Sequence, residues 1–345
     1  MNAAALIDSN RRRALLGAGS VSALAAVTAV SATLAGPLSI SSANAAGNDF
    51  AFAFIGDIPY AELEFVRTQE LLAAIDNDCD FVIHVGDIKS GTDSCADEAF
   101  ERRFQLLRSS PRPLIYVPGD NDWSDCLRTA AGGFRPYERL AFLRKSLFNP
   151  PGPLAKAGVQ IASQAQLEAN TAEVEHLRWL HQAVLFLTVN RPGGVDLRQF
   201  SNDESELYNQ MIAAGERWLR AGFALAQRLR LKAVVIASHA NPGFENDDDR
   251  WLPRRRRDMH RSYRHTLADL SSQFNGQVLF LHGDTHRFQV NQPLRDRHGD
   301  EVSNFTRVEC FGSPFSSSWV RIRVSPVAQP TFQIAVRHLD KARPY

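Results

Sequence analysis

The chain has 345 residues, 44% of them hydrophobic, and its 39 basic and 38 acidic side chains leave a net charge of +1. So even a balance gives no global basic field to draw the protein to nucleic acid. The length allows one large α/β domain or two small ones, each option burying a sizeable core.

The first element is a leader. Asn10-Arg11-Arg12-Arg13 precedes an apolar, small-residue stretch over 14–37 and then Ser41-Ser42-Ala43-Asn44-Ala45-Ala46. This is the pattern of a signal peptide with a small-residue cleavage site. Arg12-Arg13 before Ala14-Leu15-Leu16 resembles the twin-arginine export signal, with the export machinery as the implied partner. The apolar run is long enough to span a membrane. Its Gly, Ser and Thr content and its Ala-Asn-Ala ending favour cleavage after Ala45, leaving one domain over 46–345 without a membrane span, in the periplasm or outside the cell. Removing 1–45 takes away three bases and one acid, so the mature chain has 36 basic and 37 acidic residues, a net charge of −1.

Five later segments share one design, a short β-rich apolar run that ends abruptly in a polar residue able to bind metal. Residues 50–55 end at Gly56-Asp57, residues 81–85 at Gly86-Asp87, and residues 114–117 at Pro118-Gly119-Asp120-Asn121-Asp122. Residues 233–238 end at His239, and 278–281 at His282-Gly283-Asp284-Thr285-His286. Helix-period stretches at 63–76, 96–108 and 205–230 separate them, and further strands are expected at 183–189, 302–311 and 320–324. Strand-helix alternation of this kind argues for a layered α/β fold, in which ligands gather where strands end.

Asp57, Asp87 and Asp120 lie 30 and 33 residues apart, about one strand-helix unit each. Three carboxylates and two imidazoles, His239 and His286, therefore meet along one sheet edge. Such a group repels itself unless a cation sits among it. Mixed Asp and His donors suit manganese, iron or zinc better than calcium.

The ordered set resembles the calcineurin-like metallophosphoesterases, whose pattern runs Asp-x-His, Gly-Asp, Gly-Asn-His-Asp/Glu, a lone His and Gly-His-x-His. The resemblance covers Asp57 to His286 and implies a two-sheet αββα sandwich, two divalent metal ions and hydrolysis of a small phosphoester, mono- or diester, by metal-activated water. A non-catalytic or single-metal binding protein on the same scaffold is the alternative.

Three motifs depart from the pattern: Pro59 replaces a histidine ligand, Asp120-Asn121 replaces Asn-His, and Asp284 replaces a histidine. The resemblance then implies Asp57, Asp87 and His286 on one ion, with Tyr60 as a candidate helper, and Asp87, Asp120, His239 and Asp284 on the other. Asn121 occupies the position that acts on substrate or leaving group, and His282 is the candidate acid beside it. His84 reads as a satisfied core histidine. His260 and His265 read as exposed, and Asn190 and Asn241 as either phosphate contacts or turn caps.

Cys95 and Cys126, both in polar turn-rich loops, are expected to form a disulfide, with Cys79 and Cys310 as buried free thiols. Pro150, Pro151, Gly152 and Pro153 mark an irregular loop at 149–160. The arginine run at 254–257, after Asp247-Asp248-Asp249, reads as a charge-compensated solvated loop.

Overall fold

The computed structural model describes residues 47–148, 161–244 and 259–339. The leader with its cleavage site, the proline-rich loop at 149–160 and the arginine run lie outside them.

Two sheets form the body. In chain order the strands are β1 (Phe50–Ile55), β2 (Cys79–His84), β3 (Leu114–Tyr116), β4 (Ala162–Ser163), β5 (Leu177–His181), β6 (Val184–Val189), β7 (Ala233–Ser238), β8 (Gln277–His282), β9 (Gln289–Asn291), β10 (Phe305–Glu309), β11 (Ser318–Val324) and β12 (Phe332–His338). One sheet has the order β12-β11-β1-β2-β3 and the other β4-β5-β6-β7-β8-β10-β9. The helices are α1 (Glu62–Ala74), α2 (Asp97–Arg108), α3 (Pro136–Leu147), the single turn α4 (Gln164–Leu167), α5 (Asn202–Arg228) and α6 (Arg261–Ser272).

Period-two alternation decides what faces what. Phe52 and Phe54 of β1, Phe81 and Ile83 of β2, Phe186 of β6, Val235 of β7 and Leu279 and Leu281 of β8 fill one apolar layer between the sheets. Phe52 stacks on Phe81 at 5.3 Å and meets Phe186 edge-on at 5.5 Å. Burying each such ring stabilises the fold by about 1.5–3 kcal/mol relative to exposure. The alternate residues Ala51, Ala53 and Ile55 face a second core shared with α1, α2 and α3. On the far sheet α5 packs so closely on β6 that a Cβ at Gly222 would meet Leu187 at 2.6 Å.

β1, β2 and β3 are parallel, with Ile55 opposite His84 and His84 opposite Tyr116. β6, β7 and β8 are parallel as well, with Val189 opposite Ser238 and Ala237 opposite Leu281. Each parallel set thus ends level, so every loop after a strand of the set leaves from the same edge. The segment expected to be a strand over 302–311 is one only at Phe305–Glu309, while β5, β12 and α3 add elements that the sequence pattern did not reveal.

Candidate metal centre

Asp57, Asp87, Asp284 and His286 all adopt left-handed backbone, with φ of 55°, 54°, 76° and 57°. Asp and His tolerate this region better than most residues, yet each such residue costs on the order of 1–3 kcal/mol and persists only where its surroundings over-determine it. Those surroundings are close glycines. A Cβ at Gly283 would collide with the Asp57 carboxylate, and one at Gly193 with both Asp284 and Asp120. Asp122 fixes the loops further: its carboxylate accepts the main-chain N–H of Asp87 (2.7 Å), Ile88 (3.0 Å) and Gly119 (2.8 Å) and the Tyr116 hydroxyl (2.6 Å).

The two sheets are sewn together at this edge. His239 donates from Nδ1 to the Val85 carbonyl at 2.7 Å, Gly283 N–H donates to the His239 carbonyl at 3.0 Å, and Asp284 N–H donates to Asp57 at 3.0 Å. His84 links the Asp57 and Asp87 loops, contacting the Ile58 carbonyl at 3.0 Å and accepting from Gly86 N–H at 3.1 Å.

With its Nδ1 so engaged, His239 turns Nε2 toward Asp87 (3.5 Å) and Asp120 (3.6 Å). That nitrogen is buried and has no hydrogen-bond partner. His286 repeats the arrangement, with Nδ1 on the Ser313 carbonyl at 2.9 Å and Nε2 3.4 Å from Asp57. A carbonyl on one ring nitrogen fixes the tautomer that leaves the other free to ligate. Donor atoms of Asp57, Asp87 and His239 lie within 4.8 Å of one another, as do those of Asp120, His239 and Asp284. His239 is common to both triads, and one lone pair serves one ion. Tyr60 completes the cluster by donating to Asp87 at 2.8 Å and lying 3.3 Å from His286 Nε2.

The electrostatics are those of too many acids in one dry place. Burial, opposed by His239 and reinforced by Asp120, pushes Asp87 well above the ordinary carboxylate range. Burial and then Asp120 lift Asp284 to about 7. Asp120 alone of the three falls below its ordinary value: burial opposes its charge, and the attraction of His239, 3.6 Å away, outweighs burial. His239 is raised for the matching reason, its burial overcome first by Asp87. A buried imidazole nitrogen without a hydrogen-bond partner, facing several buried carboxylates, fits a divalent cation.

The profile of the calcineurin-like phosphoesterases matches residues 50–288, more than half of the chain. The chain belongs to this family. It is a phosphoester hydrolase, and the family's sites are of the two-metal type. No curated protein matches the sequence. Among solved structures the chain is similar to a dimetal phosphatase from Danio rerio, with 14% identity over 79% of this chain and 92% of that one, at a TM-score of 0.46. It is also similar to the purple acid phosphatase PPD1 of yellow lupin seeds, with 11% identity, 88% and 53% coverage and a TM-score of 0.48. A 5′-nucleotidase from Candida albicans matches with 11% identity, 84% and 51% coverage and a TM-score of 0.45.

Against the family pattern, the structure brings Asp57, Asp87, Asp120, His239, Asp284 and His286 to one edge, and Tyr60 with them. Asn121 is there too: its side-chain amide donates to Asp87 at 2.5 Å and to the Tyr60 hydroxyl at 3.1 Å. His282 is not. It is fully buried, its Nδ1 contacts the Gly283 carbonyl and its Nε2 faces Glu309 at 3.9 Å. His265 is exposed as expected, but His260 is buried between Arg191 Nε (3.2 Å) and the Gly193 carbonyl (3.0 Å), because it props the Gly193 turn rather than facing water. Asn190 turns inward to Glu175, while Asn241 caps its own turn through Gly243 N–H and donates its main-chain N–H to Asp284. Cys95 and Cys126 are joined by a disulfide and Cys79 and Cys310 are buried free thiols.

Sequence reasoning missed Asp122 and Glu309. The family pattern carried the signal for Asp122, the acidic fourth member of its Gly-Asn-His-Asp/Glu motif. Glu309, which accepts from Thr285 (2.5 Å), Arg287 N–H (2.9 Å) and Gln289 (2.7 Å), had none.

Proposed function

We propose that the mature chain is exported by the twin-arginine route and hydrolyses a small phosphate mono- or diester with two divalent cations, manganese, iron or zinc. The observation that carries this reading is the convergence of four carboxylates, Asp57, Asp87, Asp120 and Asp284, on His239, whose buried Nε2 has no hydrogen-bond partner. The disulfide supports export, since such bonds persist in oxidising compartments. No helix of the described residues is long and apolar enough to cross a membrane.

In this reading Asp57, His286 and Tyr60 hold one cation, Asp120, His239 and Asp284 hold the other, and Asp87 touches both. When bound, the pair supplies Lewis-acid charge and brings the pKa of water from about 15.7 to about 7. The chain's own part is positioning. Asn121 grips Asp87 through both its main-chain and its side-chain N–H, at 2.9 and 2.5 Å, and its amide also donates to the Tyr60 hydroxyl at 3.1 Å, holding both side chains in place. A cleft of about 980 Å³ opens beside Asp120 and Asp284, lined by Arg128, Asn241 and Arg264 and by apolar Val195, Leu197 and Phe200, with room for the ester's organic group.

Proton donation to the leaving oxygen falls to neither expected residue: the Asn121 amide is no acid, and His282 is buried against Glu309, with burial pulling it down to about 3. Esters with good leaving groups are therefore the expected substrates, and the rate should fall steeply as leaving-group pKa rises. Metal analysis of the mature protein alongside a panel of aryl phosphate mono- and diesters tests the whole reading. Two equivalents of transition metal with turnover are expected. One equivalent or none, without turnover, would make the chain a binding protein on this scaffold.

A further inference from the structure

A second cavity, of about 320 Å³, lies on the Tyr60 side of the metal centre, away from the large cleft, and is lined by Tyr60, Glu62, Lys89, Asp93, Arg102 and Arg103 among others. Its charges do not balance. Arg102 is bound by Glu62 through two hydrogen bonds, and Arg103 lies 3.5 Å from Asp93. Lys89, only 1% exposed, has no carboxylate among its hydrogen-bond partners; its ammonium donates to the carbonyls of Ser90 (3.1 Å) and Asp93 (3.2 Å).

The nearby acid Asp122 is already engaged by three main-chain N–H groups and Tyr116. Asp87 is committed to the metal edge. Arg103 is also more than nine-tenths buried, and its Nη1 has no hydrogen-bond partner. A buried cationic donor left unmatched is unfavourable, and an anion would relieve it. The cavity wall also includes Ala61, the N-cap of α1, which offers no side-chain cap to the helix amides. Helix amides left so carry partial positive charge.

We infer that this cavity is an oxyanion subsite, separate from the metal edge, that takes a phosphate-sized group through Lys89, Arg102 and Arg103. Two sources share that chemistry: a second phosphate on the ester being hydrolysed, or free inorganic phosphate such as the released product. In either case the anion sits next to Tyr60, whose hydroxyl touches Asp87 and lies 3.3 Å from His286, so occupancy bears on the reacting group directly. The binding statement stands without turnover. Only the substrate arm rests on the hydrolytic reading.

The test uses the mature chain held in chelator, so that no cation of the metal edge binds the anion and the variants report on the cavity. Calorimetric titration with inorganic phosphate and with sulfate should show one equivalent. Arg103→Met should weaken it about tenfold or more, the scale of one charge-assisted hydrogen bond lost. Arg102→Glu, at a half-exposed position that tolerates change, should do the same if Arg103→Met fails to fold. Binding that is absent from the chelated wild type, or equal in Arg102→Glu and wild type, overturns the subsite.

A second arm, in the metal-loaded enzyme, compares phenyl phosphate with an aryl ester that carries an additional phosphate. A rise in KM for the doubly charged ester alone assigns the subsite to substrate. Weaker inhibition by inorganic phosphate with both esters assigns it to free phosphate. A protein without turnover refutes the hydrolytic reading and leaves the first arm readable.

Discussion

The two halves of the metal centre are built differently. Around Asp120, His239 and Asp284 the chain supplies two carboxylates and an imidazole, the imidazole fully buried, and braces the carboxylates with N–H groups from Gly194 and Asn241. Around Asp57 and His286 it supplies one of each, the imidazole side chain 26% exposed, and a phenol where the family has a histidine. Burial and then Asp87 hold the Tyr60 phenol well above its ordinary pKa, so it is a reluctant anion until a cation arrives. Each half reaches four donors with Asp87, but one of the four around Asp57 is a phenol that must first lose its proton. On the proposed reading the two cation sites are therefore unequal, and the Asp120 half is expected to fill first.

The largest expected effect comes from the residue common to both halves. Asp87→Ala should lower kcat/KM by about a thousandfold, since the transition-state charge stabilisation it anchors is worth several kcal/mol at about 1.36 per decade, and should remove both ions by elemental analysis. Retention of one full equivalent would show that the halves do not share this side chain. Next come the two imidazoles taken separately. His239→Ala should empty the tighter half, and His286→Ala the weaker one, with the remaining ion still measurable in each; equal losses in both variants would erase the distinction.

Tyr60→Phe is a finer probe. Losing the hydroxyl should weaken the looser ion by about tenfold or more, within the 10–100-fold range typical when a metal's support is removed. Unchanged affinity with normal turnover would reduce Tyr60 to a hydrogen-bond partner of Asp87.

The smallest effect is on stability against pH. In the chelated chain, burial and Asp120 raise Asp284 to about 7, and burial raises Asp87, so the folded state holds protons that the unfolded state gives up near pH 4. Stability therefore falls as pH climbs from about 4 to about 7. The raised His239 acts in the same direction, its contribution being present below its unfolded value and lost above its folded one. Scanning calorimetry at pH 5 and 8 should show the gap between loaded and chelated protein widening with pH. A chelated protein equally stable at both would contradict these shifts.

Much of this was legible in the sequence because apolar runs that stop at Asp or His record both a strand and its functional end. The parallel strands then bring those ends level without further information. What stayed hidden follows the same physics. His282 looked available because it adjoins Gly283-Asp284, but Leu279 and Leu281 point into the layer between the sheets, so alternation turns His282 to the opposite face and away from the edge.

The edge strand Phe332–His338 carries Gln333, Arg337 and His338, and its apolar run, Ile334-Ala335-Val336, is short and does not end in a polar residue able to mark the metal edge. Tyr60 could not be assigned from spacing, because its hydroxyl reaches Asp87 only through the path of the loop leading into α1. His260 was read from its arginine-rich neighbours, whereas its burial depends on Arg191 and Gly193, almost 70 residues earlier in the chain.

On the proposed reading, carboxylates and imidazoles from five separate strand ends form one centre with two unequal cation sites. Calorimetric titration of the chelated mature protein with manganese or zinc tests it directly. Two resolved binding events are expected, the tighter abolished by His239→Ala and both abolished by Asp87→Ala. A single event, or two that survive Asp87→Ala, would contradict the account.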